Sequence, residues 1–225
     1  MDNMDLMEAM RQRHSVRQYT DAPIAPQVLA ALQAEVAACN RDGKLHIQLV
    51  TNEPKAFDSF MAHYGKFSGV RNYIALVGPK GANLDELCGY YGEKLVLKAQ
   101  QLGLNTCWVA MTYKKIPGAF EVGQGEKLAV VIALGEGKTQ GAAHRTKAAA
   151  EVSNVTDASP AWFKAGVAAA LLAPTAMNQQ KFRFTCDGNT VEAKAGTGFY
   201  TKLDLGIVKC HFEIAAGKEN FSWKR

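Results

Sequence analysis

Arg13, His14, Ser15 and Arg17 lie within one short stretch, RHSVRQY, where a first helical segment gives way to an extended run closed by Asp21-Ala22-Pro23. Arginine presents a rigid fork that donates bidentately to anionic oxygens, and a serine hydroxyl adds a further donor, so the cluster suits a phosphate monoester. The same residues also describe a basic helix C-terminus favoured by the macrodipole, and the stretch alone does not choose between the two. A second stretch, APTAMNQQKFRF, follows an apolar helical segment and breaks it at Pro174, leaving Thr175 and Asn178 in a turn before a strand. An asparagine amide both donates and accepts, which matches a heterocycle edge of alternating donors and acceptors better than a charged side chain does; a capping turn is the plainer account. A third stretch, KAQQLGLNTCWVAM, ends a long helix at Gly103 and runs extended through Thr106, Cys107 and Trp108. Backbone amides there can approach a flat ring closely, while Trp108 itself reads as core.

Other chemistries find no support in the residues. Neither a GxGxxG loop nor a P-loop is present, and His14, His46, His63, His144 and His211 lack metal-ligand spacing, so no metal is expected. His211, on an apolar helix, reads as a packing histidine with satisfied ring nitrogens, and Tyr90 and Tyr91 read as core or pocket walls. Five cysteines without a CxxC pair suggest no disulfide framework but reduced thiols. The net charge of +5 could attract nucleic acid, but the basic residues are dispersed and not interleaved with aromatics, and an anionic small ligand explains the excess equally well, so no nucleic-acid partner is expected. No apolar run reaches the ~18 residues of a membrane span, and the start MDNMDLMEAMRQRH lacks an apolar signal core, so a cytoplasmic protein without a membrane partner is expected.

These stretches need elements to hold them. Leu29, Leu32, Val36 and Cys39 predict a helix from Pro26 to Cys39, followed by a short strand over Leu45 to Thr51. Asn72 to Gly78 predicts a strand, then Leu84, Leu87, Tyr91, Leu95 and Leu102 line a long helix that Gly103 caps in the left-handed conformation. The continuous apolar run Lys127 to Leu134 predicts a strand buried on both faces, central in a sheet. A short helix near Thr146 to Val152, an Ala-rich helix from Pro160 to Ala173, a hairpin turning at Asp187-Gly188 and a last helix from Leu203 to Ala216 complete an α+β pattern, with no element assigned to Glu219 to Arg225.

A weak internal repeat accompanies this order. VLAALQAEVAACNRDGKLHIQLV lies beside GVAAALLAPTAMNQQKFRFTC and pairs Asn40 with Asn178, while Gly89, Leu97 and Ala99 stand 117 positions before Gly206, Ile214 and Ala216.

Taken together, RHSVRQYTDAPI, QLGLNTCWVAM, ALGEG followed by HRTKAAAEV, and APTAMNQQKF resemble the signature segments of the nitroreductase family of FMN oxidoreductases. The resemblance implies a central, mainly antiparallel sheet with surrounding helices. It also implies an FMN site whose phosphate and pyrimidine edge are held by Arg13, His14, Ser15 and Arg17. It further implicates Val109 and Ala110 beside the flavin, Arg145 and Lys147 at the phosphate, and Pro174, Thr175 and Asn178 in flavin contacts, with Lys181 replacing a proline often found there. Such proteins usually place that turn soon after the basic segment and complete each site across a homodimer. Its late position here resembles the branch in which two unequal, pseudo-symmetric halves form an internal pseudo-dimer, here residues 1–140 and 141–225, so that a monomer suffices. The implied activity is transfer of hydride from NADH or NADPH to a small organic acceptor such as a nitroaromatic or quinone, by a ping-pong route, with flavin N5 reacting and no catalytic side chain. A non-catalytic flavin-binding or flavin-storage protein, or an interaction protein without flavin, are the rivals.

Overall fold

In the computed structural model residues 4–224 are described, so the first three residues of the opening segment and Arg225 fall outside the account. A short α1 (Leu6–Gln12) leads through an extended stretch to α2 (Pro26–Gly43), β1 (Gln48–Val50), α3 (Phe60–Tyr64), β2 (Asn72–Pro79), α4 (Leu84–Gln101), β3 (Asn105–Val109) and β4 (Glu126–Gly135). There follow α5 (Ala149–Val152), α6 (Ala161–Ala170), β5 (Phe182–Asp187), β6 (Thr190–Ala195), α7 (Thr201–Ala216) and β7 (Ser222–Trp223). Pro26 opens α2 at a position where its fixed φ and missing N–H fit the first turn, and left-handed Lys44 closes the helix by donating its N–H to the Asn40 carbonyl. Gly103, at φ +80°, takes the left-handed conformation expected after α4. Among the described residues no helix is long and apolar enough to cross a membrane.

The chain forms two compact units, one of residues 12–84 and 94–143, the other of residues 4–11, 85–93 and 144–224. In the first, four antiparallel strands run in the order β1-β2-β4-β3. The central place of β4 follows from its apolar run: Ala133 lies opposite both Tyr73 of β2 and Cys107 of β3. Tyr73, Ala75, Val77, Val131 and Ala133 pack with Phe57 and Phe67 into one buried cluster. The ladder of β1 is shorter than the stretch LHIQLVT predicts. On the outer edge of the sheet the Asn40 side chain donates to the Ile47 carbonyl at 2.9 Å and accepts from the Ile47 N–H at 2.6 Å, so a side chain satisfies edge backbone that, among the described residues, no further strand covers.

In the second unit β5 and β6 form the expected hairpin, but its turn is Gly188-Asn189, one residue later than expected. Asp187 is still paired, with Thr190, and Gly188 at φ +56° takes the first loop position, which requires a positive φ that aspartate adopts less readily. α6 stops at Ala170 ahead of Pro174, whose ring disfavours helical geometry before it. The tail, left without an element by sequence, adds β7 parallel to β6 and brings Trp223 within 5.5 Å of Phe212, itself stacked on Phe184 at 4.6 Å. Two strand residues carry no periodicity, so only the aromatic cluster decides that placement. α4 and α7 cross at glycines: a Cβ on Gly89 would strike the Leu203 carbonyl oxygen, and one on Gly206 the Glu86 carbonyl oxygen.

Candidate functional site

The basic segment of the first unit is fixed by its backbone. The Val16 N–H donates to the Thr106 carbonyl at 3.0 Å, the Ser68 N–H to the Arg17 carbonyl at 3.0 Å, and the Tyr19 N–H to the Ser68 carbonyl at 2.9 Å. Residues 15–19 are thereby sewn between β3 and the loop after α3, with Ser15 bridged to Thr106. Arg13 is buried, at 3% exposure, whereas Arg17 is exposed, with its guanidinium over the Phe67 ring at 5.9 Å. Among the described residues Arg17 has no ion pair. Burial raises the Cys107 thiol, while the Arg17 charge, a hydrogen bond with Ser15 and the Arg13 charge all act in the opposite direction, so a positive field surrounds that strand end. His14 is half-buried, with Gly141 so close that an added Cβ would lie 2.8 Å from the His14 Cβ. Val109 is buried at the end of β3 and Ala110 half-buried after it; Trp108, expected in the core, is only half-buried.

The second unit brings Arg145, Lys147, Thr175 and Asn178 together through a residue that the sequence reading missed, Gln180. Its side-chain amide donates to the Arg145 carbonyl at 2.8 Å and to Asn178 Oδ1 at 2.8 Å, and its Oε1 accepts from the Lys147 N–H at 2.9 Å. Its own N–H donates to Thr175 Oγ1 at 3.0 Å and its carbonyl accepts from Lys147 Nζ at 3.1 Å. Asn178 also donates to the Arg145 carbonyl at 2.8 Å, which leaves one amide N–H and one lone pair of Asn178 for a ligand. Lys147 therefore directs its ammonium to a protein carbonyl, whereas the Arg145 side chain is exposed and, among the described residues, without an ion pair. Pro174, four residues beyond the end of α6, leads into this turn, where Met177, Asn178 and Gln180 all take positive φ, at 50°, 53° and 46°. Left-handed backbone costs about 1 kcal/mol or more per non-glycine residue, so the surrounding bonds must hold it.

Asp204 of α7, also missed, supplies two of those bonds: its carboxylate accepts from the Ala176 N–H at 2.9 Å and from Gln179 Nε2 at 2.7 Å. Burial pushes its carboxyl up to about 6, against the opposing pull of those two donors. The only signal for Gln180 in the sequence is the NQQ run itself, three carboxamides in one short loop, and Asp204 has none. His211 is a satisfied packing residue: Nδ1 donates to the Ala169 carbonyl at 3.0 Å and Nε2 meets Glu93 at 2.8 Å. Tyr90 donates to Glu213 at 2.5 Å. Among the described residues no cluster of His, Cys, Asp and Glu is arranged to hold a metal ion.

A family model described as "Putative TM nitroreductase" matches residues 5–216. The chain belongs to this nitroreductase family. A comparison with curated proteins finds no match. Among solved structures, the nitroreductase-like fold is shared with a "putative nitroreductase" of Thermotoga maritima, at 20% identity and a TM-score of 0.66, over 96% of this chain and 85% of that one. A nitroreductase structure from Desulfovibrio desulfuricans, described as in complex with FMN, is similar at 19% identity and a TM-score of 0.52, over 69% of this chain and 98% of its own. A protein of Parabacteroides distasonis named NADH dehydrogenase/NAD(P)H nitroreductase is similar at 21% identity and a TM-score of 0.51, over 65% of this chain and 95% of its own.

Proposed function

We propose that the chain binds FMN and is a cytoplasmic oxidoreductase that carries hydride from NADH or NADPH to a small organic acceptor such as a nitroaromatic or quinone. The observation that carries this reading is the donor set. In the second unit Arg145 is an exposed guanidinium with no ion pair among the described residues and Asn178 keeps a donor and an acceptor, and in the first Arg17 is likewise exposed without an ion pair; these are the group types that a phosphate and a pyrimidine edge require. The residues present therefore fit the cofactor that the family implies. Arg13, His14, Ser15 and Arg17 in the first unit, with Val109 and Ala110, and Arg145, Lys147, Pro174, Thr175 and Asn178 in the second, are the proposed holders.

When bound, FMN supplies two-electron hydride chemistry at N5, so the protein's own work is binding, orientation and charge. The exposed Arg17 guanidinium supplies positive charge for a phosphate or an electron-rich ring edge. Lys147 and Gln180 hold the Arg145 backbone, and Asp204 holds the turn that carries Asn178.

The chain reads further as an internal pseudo-dimer. Gly89 meets Leu203 as Gly206 meets Glu86, and both pairs of equivalents, Gly89 with Gly206 and Glu86 with Leu203, are 117 positions apart. Such reciprocity is the signature of an isologous contact, here within one chain.

A visible spectrum of the purified protein, followed by anaerobic addition of NADH, tests the function. A flavin spectrum that bleaches is expected; flavin that NADH and NADPH leave oxidised indicates the storage reading, and no flavin after reconstitution overturns the proposal. Arg13 and Arg17 changed together to Ala should weaken FMN binding at least tenfold to a hundredfold, roughly what the loss of one charged hydrogen bond implies.

A further inference from the structure

Two loops of the second unit, residues 175–181 and 196–201, are clipped to one another along their length. Gln179 Nε2 donates to the Phe199 carbonyl at 2.9 Å, Lys181 Nζ to the Thr197 carbonyl at 3.0 Å, and the Gly196 N–H to the Lys181 carbonyl at 2.8 Å. The same loops contain four left-handed non-glycine residues, Met177, Asn178, Gln180 and Tyr200, the last at φ +61°, a conformation a bulky aromatic rarely adopts. Among the polar side chains that these strained, heavily bonded loops present outward stand two large apolar ones: Met177 is 85% exposed and Phe199 79% exposed. Polar side chains at those positions would cost nothing in water, and strain held by so many bonds concentrates at ligand sites.

We propose that these paired loops form the face that receives the electron acceptor, with Met177 and Phe199 against a flat ring and Lys181 beside nitro or carbonyl oxygens. The assignment rests on the FMN reading, in which Thr175 and Asn178 of the same loop hold the flavin. Thioether sulfur and a phenyl face both favour a planar, electron-poor ring over a compact inorganic ion. Lys181 uses one of its three donors on Thr197 and keeps its charge for oxygens carrying partial negative charge. The occupant is therefore a planar nitroaromatic or quinone, not an aliphatic or cationic compound.

Menadione and ferricyanide, a flat and a compact acceptor, are compared in the wild type, in Met177→Ala/Phe199→Ala and in Lys181→Glu. The ratio of the menadione KM to the ferricyanide KM is expected to rise about tenfold in the double variant, the effect of about 1.4 kcal/mol of lost ring contact, and severalfold in Lys181→Glu. A ratio within about twofold of wild type in either variant overturns the proposal. Calorimetric titration of menadione into the oxidised protein separates this from the flavin reading. Should the wild type carry no flavin and leave NADH unoxidised, the FMN proposal fails by itself, and the titration still decides: menadione binding that the double variant loses supports the platform, and equal binding or none in either protein overturns it.

Discussion

At the residue scale, two side chains that sequence reading passed over do most to shape the candidate site. Gln180 is 3% exposed, and its side chain serves the Lys147 N–H, the Arg145 carbonyl and Asn178 at once. Truncation strands several buried polar groups, so Gln180→Ala should lower stability by about 2–4 kcal/mol in urea unfolding and weaken FMN binding as the turn relaxes. An unchanged midpoint would mean that water replaces the side chain without loss. Asp204 makes a pH-dependent contribution of definite sign. Its carboxyl lies near 6 in the fold and near the ordinary aspartate value when unfolded, so the native state holds the proton more tightly. The associated stability is fully present below about pH 4 and is lost as pH rises through about 6, by an amount on the order of 2–3 kcal/mol. Measured against Asp204→Asn, wild-type unfolding free energy should decline over that window; parallel pH profiles would contradict the assignment.

At the scale of elements, the crossing of α4 and α7 admits no side chain at its centre. An alanine in a helix interior is normally favoured over glycine by about 1 kcal/mol, so Gly89→Ala and Gly206→Ala would stabilise a freely exposed helix. Here each new methyl meets a backbone carbonyl of the facing helix, which no rotamer can move aside. Both variants are expected to lower the melting temperature, with losses of roughly 1–3 kcal/mol or more from overpacking; a rise in either would show that the helices separate easily. The glycine pair was legible in the sequence as part of the repeat, but nothing in the repeat says that the two copies touch.

At the scale of the whole molecule, the full set of proposed FMN residues occurs once per chain. Arg13, Ser15 and Arg17 have no second copy, and Asn40, the repeat equivalent of Asn178, holds Ile47 instead of facing a ligand. One FMN per chain is therefore expected from flavin release joined to solution mass, and two per chain would defeat the single-site reading. Local pattern in the sequence determined the α+β class, the central place of β4, the capped end of α4 and the stretches resembling the family, because hydrophobic period, glycine and proline act over a few neighbouring residues. It determined the types of the candidate site residues too, since a guanidinium or a carboxamide carries its chemistry wherever it lies. Only the tertiary structure decided that β7 pairs with β6 and that Arg13 is buried while Arg17 is exposed. It alone showed that Lys147 turns to a carbonyl, and that Gln180 and Asp204 hold the turn of Asn178. Those outcomes depend on bonds between residues some 30 positions apart, whose partners no local pattern names.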